Sequence, residues 1–114
     1  MRHRKKKKFG HGMDQKRKLL RSLASSAILY ERIETTHANA RAVKPYLEKL
    51  ITRAKEGSLH NRRILLTKLT LTATKKIIEV LGPKYKERKG GYTRLIKLIN
   101  PKSGSSKTVL ELVD

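Results

Sequence analysis

The sequence predicts a small α+β domain: about four helices packed on a three-stranded sheet, mixed or antiparallel, behind a basic extended N-terminal tail. Cations crowd the first eight positions, apolar residues then recur at helical spacing, and two β-patterned stretches close the sequence. Leu, Ile, Val and Phe make up 29 of 114 residues. That fraction exceeds the roughly 20% below which a highly charged chain is expected to be disordered. We expect residues 1–13 to form the tail and residues 14–114 a single globular domain.

The tail is dominated by positive charge. Six of its first eight residues are Lys or Arg, and the first acidic residue is Asp14. Like charges at this density repel one another and prevent independent folding, and Gly10 and Gly12 add backbone freedom. We therefore expect the tail to order only on a polyanionic partner.

The first helix is predicted over residues 15–31, and its opposite faces differ in character. Asp14 is placed to cap this helix and to offset the positive end of its dipole. The apolar stripe comprises Leu19, Leu20, Leu23, Ala24, Ala27 and Ile28. The other face is basic and carries serines, so the charge of the tail continues onto an ordered element. The branched residues of segment 32–36 predict a short strand.

Two further helices follow from capping signals and periodicity. The second is predicted over residues 37–56, with Thr36 as its cap and Gly57 as its stop. Pro45 removes a hydrogen bond within this helix, so we expect a kink or a late start there. Ser58 is placed to cap a third helix, and residues 69–72 read as a junction between helices.

The last third of the chain predicts one helix and a hairpin. The helix spans about 73–81 and is expected to end at Gly82-Pro83. A basic loop, residues 84–91, leads into two strands at 92–99 and 107–113. Asn, Pro, Gly and Ser residues between the strands indicate a hairpin loop at 100–106.

The net charge of +20 requires a polyanionic partner, and RNA, DNA and an anionic membrane are the candidates. A membrane is disfavoured because the apolar face of the first helix is needed for the core. A DNA-binding helix-turn-helix protein is the alternative, with Arg62 and Arg63 on one helix and Lys75 and Lys76 on the next. Cations spread over the tail, three helices and a loop favour a protein embedded in folded RNA.

Signals of catalysis, cofactors or metals are weak in this sequence. The nine acidic residues are scattered, the four histidines form no helical pair, and cysteine is absent. No apolar stretch is long enough for a secretory signal or a membrane span. We expect a protein that is no enzyme, holds no cofactor or metal, binds no small-molecule substrate and does not associate with membranes.

The predicted RNA-binding residues form three groups, and the tail is expected to supply affinity without reading base sequence. The first group covers the tail and the first helix, the second is a pair of arginines on the third helix, and the third surrounds two glycines. They are Arg2, His3, Arg4, Lys5, Lys6, Lys7, Lys8, Lys16, Arg17, Lys18 and Arg21; Arg62 and Arg63; and Lys86, Arg88, Lys89, Tyr92 and Arg94.

Four residues in or beside the third group have other interpretations. Tyr85 and Tyr92 could each stack on an unpaired base or ribose, or pack over the small sheet, and the sequence favours neither role. Gly90 and Gly91 are interpreted as conformational, since they can adopt positive φ or permit a close backbone approach.

Several motifs together resemble the L17 family of bacterial large-subunit ribosomal proteins. In order, they are Met1-Arg2-His3-Arg4, Glu31-Arg32-Ile33-Glu34-Thr35-Thr36, Leu50-Ile51-Thr52-Arg53-Ala54-Lys55, Asn61-Arg62-Arg63, Leu81-Gly82-Pro83, Gly90-Gly91-Tyr92-Thr93-Arg94 and Glu111-Leu112-Val113. The tail is richer in lysine than is usual in the family. Lys102-Ser103-Gly104-Ser105 also replaces the family's usual Arg-x-Gly-Asp hairpin loop.

The resemblance implies an α+β fold and a structural role in the large ribosomal subunit, in support of subunit assembly and translation. Its implied partners are large-subunit ribosomal RNA and neighbouring ribosomal proteins on the outer side of the subunit near the peptide exit. Its implied location is cytoplasmic, in a bacterial or organellar ribosome.

Overall fold

The computed structural model describes residues 12–99 and 106–114. The predicted contacts of the first eight residues lie outside the described residues, as does the predicted hairpin loop up to residue 105. Within the described ranges the chain has an α+β fold, as expected. Its elements are α1 (Met13–Tyr30), β1 (Arg32–Thr35), α2 (His37–Glu56), α3 (Leu59–Lys68), α4 (Leu71–Lys76), a π-helical turn (Ile77–Leu81), α5 (Gly82–Lys84), β2 (Thr93–Ile99) and β3 (Ser106–Leu112).

The predicted boundaries of α2 and α3 are confirmed by their caps. The Thr36 hydroxyl accepts a hydrogen bond from the Asn39 N–H at 3.2 Å, and the Ser58 hydroxyl accepts one from the Asn61 N–H at 3.1 Å. Each bond satisfies one of the N–H groups that a helix start leaves without a partner. Gly57 ends α2 with φ +68°, a left-handed conformation that favours glycine.

The predicted cap of α1 is wrong, and so is the late start that Pro45 could have caused in α2. Gly12 is the N-cap of α1 and Asp14 lies within its first turn, so Asp14 offsets the helix dipole but does not cap the helix. α2 begins at His37, as its predicted bounds required, and Pro45 lies inside it. Thr36 caps the segment before the proline, and buried residues on both sides of Pro45 anchor the helix in the core.

The helix predicted to stop at Gly82-Pro83 instead continues to Lys84. A π-helical turn precedes the pair, and the Gly82 N–H bonds to the Ile77 C=O. Pro83 then falls in the first turn of α5, where its missing N–H matters little. A Cβ on Gly82 would lie 3.0 Å from the Ala54 carbonyl oxygen, so this glycine allows α2 to pack closely.

The three strands form an antiparallel sheet in the order β1-β3-β2. Leu110 in the central strand pairs with Ile33 on one side and Leu95 on the other. The helices cover the face of the sheet that carries Leu110 and Leu112. The largest members of the core are Ile28, Val43, Leu47, Ile51, Leu65, Leu69, Ile77, Leu81, Tyr85, Tyr92 and Leu110.

Candidate nucleic-acid interface

The basic residues predicted on the first helix lie on the surface of α1, close to its N-terminus: Lys16, Arg17, Lys18 and Arg21. Arg17 Nη1 lies 4.0 Å from Asp14 Oδ1, and both side chains are largely exposed, so water screens this pair. Arg21 donates from Nη2 to the Leu69 C=O at 3.1 Å. This bond orients the guanidinium and leaves its other N–H groups available to an anion.

An open groove of about 510 Å³ runs beside this basic face. Its lining combines cations, hydroxyls and one aromatic ring: Lys18, Arg21, Ser22, Ser25, Ser26, Leu29, Tyr30 and Thr70. The Tyr30 side chain is 73% exposed, so its ring is free to stack on a base or ribose. Tyr30 was not among the predicted site residues. Its exposure depends on how α1 packs, which no local pattern in the sequence reports.

Arg62 and Arg63 are both exposed on α3. Neither side chain makes a hydrogen bond or ion pair with any other residue that the structure describes. Arg53, on the facing helix, differs because its Nη1 donates to Asn61 Oδ1 at 3.1 Å. The two arginines of α3 are thus available to an external anion, whereas Arg53 joins α2 to α3.

The segment before β2 presents Lys86, Arg88 and Lys89 to solvent. Arg88 donates from Nε to the Gly91 C=O at 3.1 Å, and the Arg88 C=O accepts a hydrogen bond from Lys55. Gly90 and Gly91 have φ of +92° and +64°, and a Cβ on either would meet no described atom within 4 Å. Backbone conformation, rather than close approach, therefore requires glycine at these two positions.

The prediction that Tyr92 stacks on RNA does not agree with its place in the structure. Its side chain is 2% exposed, and its ring lies 5.2 Å from the ring of Tyr85, centroid to centroid. The Tyr92 hydroxyl accepts a hydrogen bond from Lys55 Nζ at 2.9 Å and lies 3.3 Å from Thr52 Oγ1. Burial alone would raise the pKa of Tyr92, but these hydrogen bonds outweigh it and hold the pKa below its ordinary value.

Arg94 lies on the face of the sheet that the helices leave open. Its Nε donates to Glu111 Oε1 at 2.9 Å, and Arg32 approaches the other oxygen of the same carboxylate at 3.5 Å. One acid therefore bridges two arginines across the three strands. Arg94 is half exposed but partly neutralised, which distinguishes it from Arg62 and Arg63.

Two other acids are committed to the fold. Lys76 donates to Glu31 Oε2 at 2.8 Å, and this hydrogen bond is the main reason that the pKa of Glu31 lies below its ordinary value. Burial raises the pKa of Glu48, but hydrogen bonds from Thr93 and Lys44 hold it below its ordinary value. Carboxylates held in internal pairs repel an incoming phosphate less than free ones would.

The described residues contain no group of three or more His, Asp or Glu side chains that could hold a metal ion. His37, for example, has its Nδ1 2.9 Å from the Thr108 hydroxyl. No helix in the described part of the chain is long and apolar enough to cross a membrane. The chemistry that this surface offers is donation of hydrogen bonds and positive charge to an anion.

The sequence model of the family described as ribosomal protein L17 matches residues 19–113. The chain belongs to this family. The matched region includes Arg21, the α3 arginines and the loop before β2, but begins after Lys18. Membership in the L17 family confirms the resemblance inferred from the sequence motifs and makes the chain a ribosomal protein.

Relatives within the L17 family align over nearly the whole chain. The large ribosomal subunit protein bL17 of Hydrogenobaculum sp. is 45% identical over 118 residues, which cover 100% of both chains. The bL17 protein of Thermodesulfovibrio yellowstonii is 44% identical over 117 residues, which cover 100% of this chain and 88% of the relative. That of Caldanaerobacter subterraneus is 44% identical over 110 residues, with 94% and 97% covered.

Proposed function

We propose that this chain is a structural constituent of the large ribosomal subunit that binds ribosomal RNA through its basic tail and surfaces, supporting subunit assembly and translation. Family membership and the names of its relatives support the place in the large subunit. The observation that carries RNA binding is the contrast between paired acids and free cations. Glu31, Glu48 and Glu111 form ion pairs with lysines or arginines of the protein itself, whereas the Arg62 and Arg63 side chains have no partner among the described residues.

Binding would proceed mainly by replacing counterions on RNA phosphates. Each Lys or Arg that neutralises a phosphate releases condensed cations, which makes affinity fall steeply with salt. The folded domain sets the positions of the charges on α1, α3 and the loop before β2. The groove beside α1 adds hydroxyl donors and the exposed ring of Tyr30, so this face can contact both phosphate and an unpaired base.

The DNA-binding alternative is disfavoured by the second helix of the pair. Lys76 Nζ donates to the Leu29 C=O at 3.1 Å as well as to Glu31, so it is committed to α1 rather than to a DNA groove. Lys75 is exposed on α4, so only one of the two lysines predicted for this helix remains available to a DNA groove. The family found for the chain gives no support to a DNA-binding role.

Sedimentation tests the place in the subunit. Lysate from cells that express the full chain should be fractionated on a sucrose gradient in high magnesium and then washed with high salt. We expect the chain to sediment with large subunits and to remain there after the wash. Recovery away from large subunits would contradict the proposal.

Paired substitutions test the RNA surface itself. Arg62→Gln with Arg63→Gln should lower the salt slope of binding to large-subunit ribosomal RNA by about 1.5, since each lost contact contributes about 0.7 to 0.9. Filter binding over a salt series measures this slope. Arg32→Gln is the matched control, because Arg32 is already paired with Glu111. Equal changes in the double variant and the control would argue against a specific role for α3.

A further inference from the structure

β2 lies at an open edge of the sheet. In the order β1-β3-β2, only one side of β2 is paired with residues that the structure describes, and the strand is seven residues long without proline or bulge. The opposite edge strand, β1, has four residues. An exposed strand edge presents a row of backbone N–H and C=O groups that can pair with another chain.

The register identifies which backbone groups face the open edge. The Val113 N–H donates to the Tyr92 C=O at 2.9 Å, which continues the β2–β3 register by one residue. In an antiparallel pair, hydrogen-bonded and non-hydrogen-bonded residue pairs alternate. Arg94, Ile96 and Leu98 therefore bond to β3, and the residues between them point their backbone groups outward.

The first outward-facing residue already has a partner in the fold. The Thr93 N–H donates to Glu48 Oε2 at 3.2 Å, and the Thr93 hydroxyl donates to the same oxygen at 2.8 Å. This contact agrees with the alternation, since Thr93 turns its N–H away from β3. The backbone groups of Leu95, Lys97 and Ile99 have no such partner among the described residues.

Side chains near the open edge are largely apolar and exposed. Ile96 is 37% exposed, Leu98 39% and Ile99 73%, and Lys97 is the one cation among them. An edge that avoids pairing usually carries several charges, a proline or a bulge. Within Leu95–Ile99 a single lysine interrupts an otherwise apolar run, which suits a partner strand with apolar residues and one acid opposite Lys97.

We propose that an extended segment of a neighbouring ribosomal protein pairs with Leu95–Ile99 as a fourth strand of the sheet. Alternating N–H and C=O groups are matched by another peptide backbone, whereas RNA phosphates only accept hydrogen bonds and would leave the C=O groups unpaired. The segment carries apolar residues and an acid facing Lys97. This inference rests on the proposed place of the chain in the large subunit.

Amide hydrogen exchange tests the pairing at single residues. In the free full-length protein, the amides of Arg94, Ile96 and Leu98 should exchange slowly, and those of Lys97 and Ile99 fast. In purified large subunits that contain the chain, Lys97 and Ile99 should become protected as well, by at least about threefold, as expected for one added hydrogen bond each. Fast exchange of Lys97 and Ile99 in the subunit would overturn the proposal.

A cross-link identifies what covers the edge. A photoreactive phenylalanine at Ile99, in a chain already shown to sediment with large subunits, should cross-link to a peptide of another ribosomal protein. Lys97→Pro should abolish this cross-link because it removes an outward N–H, whereas Lys97→Ala should retain it. Slow exchange of the Val109 and Glu111 amides in the free Lys97→Pro protein verifies that β3 pairing survives.

The outcomes separate this inference from the proposed function. A cross-link to RNA, no cross-link, or one that survives Lys97→Pro would each overturn the fourth strand while leaving subunit membership intact. Failure of the unsubstituted chain to sediment with large subunits would overturn both.

Discussion

The Tyr92 hydroxyl lies where α2 meets the basic loop before β2. Lys55 Nζ donates to this hydroxyl and to the Arg88 C=O, and the ammonium lies 5.1 Å from the centre of the Tyr92 ring. Thr52, one turn before Lys55 on α2, is also within hydrogen-bond distance of the hydroxyl. One lysine thus ties the loop to the helix, so the exposed loop cations are held by a buried contact.

Removing the hydroxyl should destabilise the fold without changing RNA binding. Tyr92→Phe leaves Lys55 short of one acceptor and should lower the free energy of unfolding by about 1 kcal/mol. Urea denaturation measures this loss. Tyr30→Phe is the control, because the Tyr30 hydroxyl is exposed and should contribute little. A salt slope for RNA binding that changes in Tyr92→Phe would contradict the burial of this ring.

Glu31 should make stability depend on pH in the acid range. Its pKa is below the ordinary value of 4.5 in the folded protein, chiefly because Lys76 donates a hydrogen bond to it. A lowered carboxyl pKa stabilises the fold above the ordinary pKa, and this contribution disappears as the pH falls through the folded value. Glu31→Gln should therefore reduce stability near neutral pH and flatten its decline in acid.

Urea denaturation at a series of pH values from about 7 to about 3 measures how the free energy of unfolding depends on pH in the Glu31→Gln and unsubstituted proteins. Glu34→Gln is the matched control, since Glu34 is exposed on β1 and has no ion pair among the described residues. Its stability profile should follow that of the unsubstituted protein. An equally steep acid decline in Glu31→Gln would show that Glu31 does not contribute to it.

Individual side chains could be assigned from sequence only where a helical period gives direction. The basic face of α1 was predicted correctly because its cations fall opposite the apolar stripe. Tyr85 and Tyr92 lie at a helix end and before a strand, where no period indicates which way a ring points. The same limit applies to Tyr30, whose exposure becomes evident only when the packing of α1 is known.

Local capping residues predicted some helix boundaries correctly. At Gly82, packing between helices outweighed the local signal. Thr36, Gly57 and Ser58 cap the helices that they adjoin in sequence. The limits of α2 and the start of α3 could therefore be predicted from the sequence. Gly82-Pro83 predicted the end of a helix, but the helix continues to Lys84. The role of Gly82 depends on Ala54, a residue on another helix, and no local pattern reports that contact.

The sign of one substitution distinguishes these two roles of Gly82. In an ordinary helix, Gly→Ala stabilises by about 1 kcal/mol. Gly82→Ala should instead destabilise by about 1 to 3 kcal/mol, because the new Cβ would press on backbone oxygens of Ala54 and Ile77 at 3.0 and 3.3 Å. Thermal denaturation measures the change, and a stabilised Gly82→Ala protein would contradict the close packing.

Gly57→Ala provides a comparison by a different mechanism. A Cβ there would meet no described atom within 4 Å, but φ is +68°. Left-handed backbone costs a residue with a Cβ about 1 to 2 kcal/mol. Both variants should therefore lose stability, one from contact and the other from backbone strain.

The protein has 29 basic and 9 acidic residues, so one-to-one pairing would leave most of its lysines and arginines without an acid of the same chain. Acids such as Glu31, Glu48 and Glu111 form ion pairs with lysines and arginines of the folded domain. The remaining cations lie in the tail and on several surfaces. Salt should therefore weaken RNA binding far more than it weakens the fold, since the internal pairs contribute little individually.

Deleting residues 1–11 tests the contribution of the tail. The deletion removes six lysines and arginines and keeps Gly12, the N-cap of α1. The salt slope of binding to large-subunit ribosomal RNA should become shallower by roughly four or more, from about six lost phosphate contacts. Urea denaturation of the shortened protein should be unchanged. An unaltered slope would mean that the tail is only solvated.

The position of β3 between β1 and β2 also sets an order of events during synthesis. Arg32 and its partner Glu111 are separated by 79 residues, and the helices and both edge strands are made before the central strand exists. A growing chain can therefore form helices early, but β1 and β2 have nothing to pair with until residues 106–112 emerge. Cooperative folding of the sheet must then wait until β3 has left the ribosome that makes the chain.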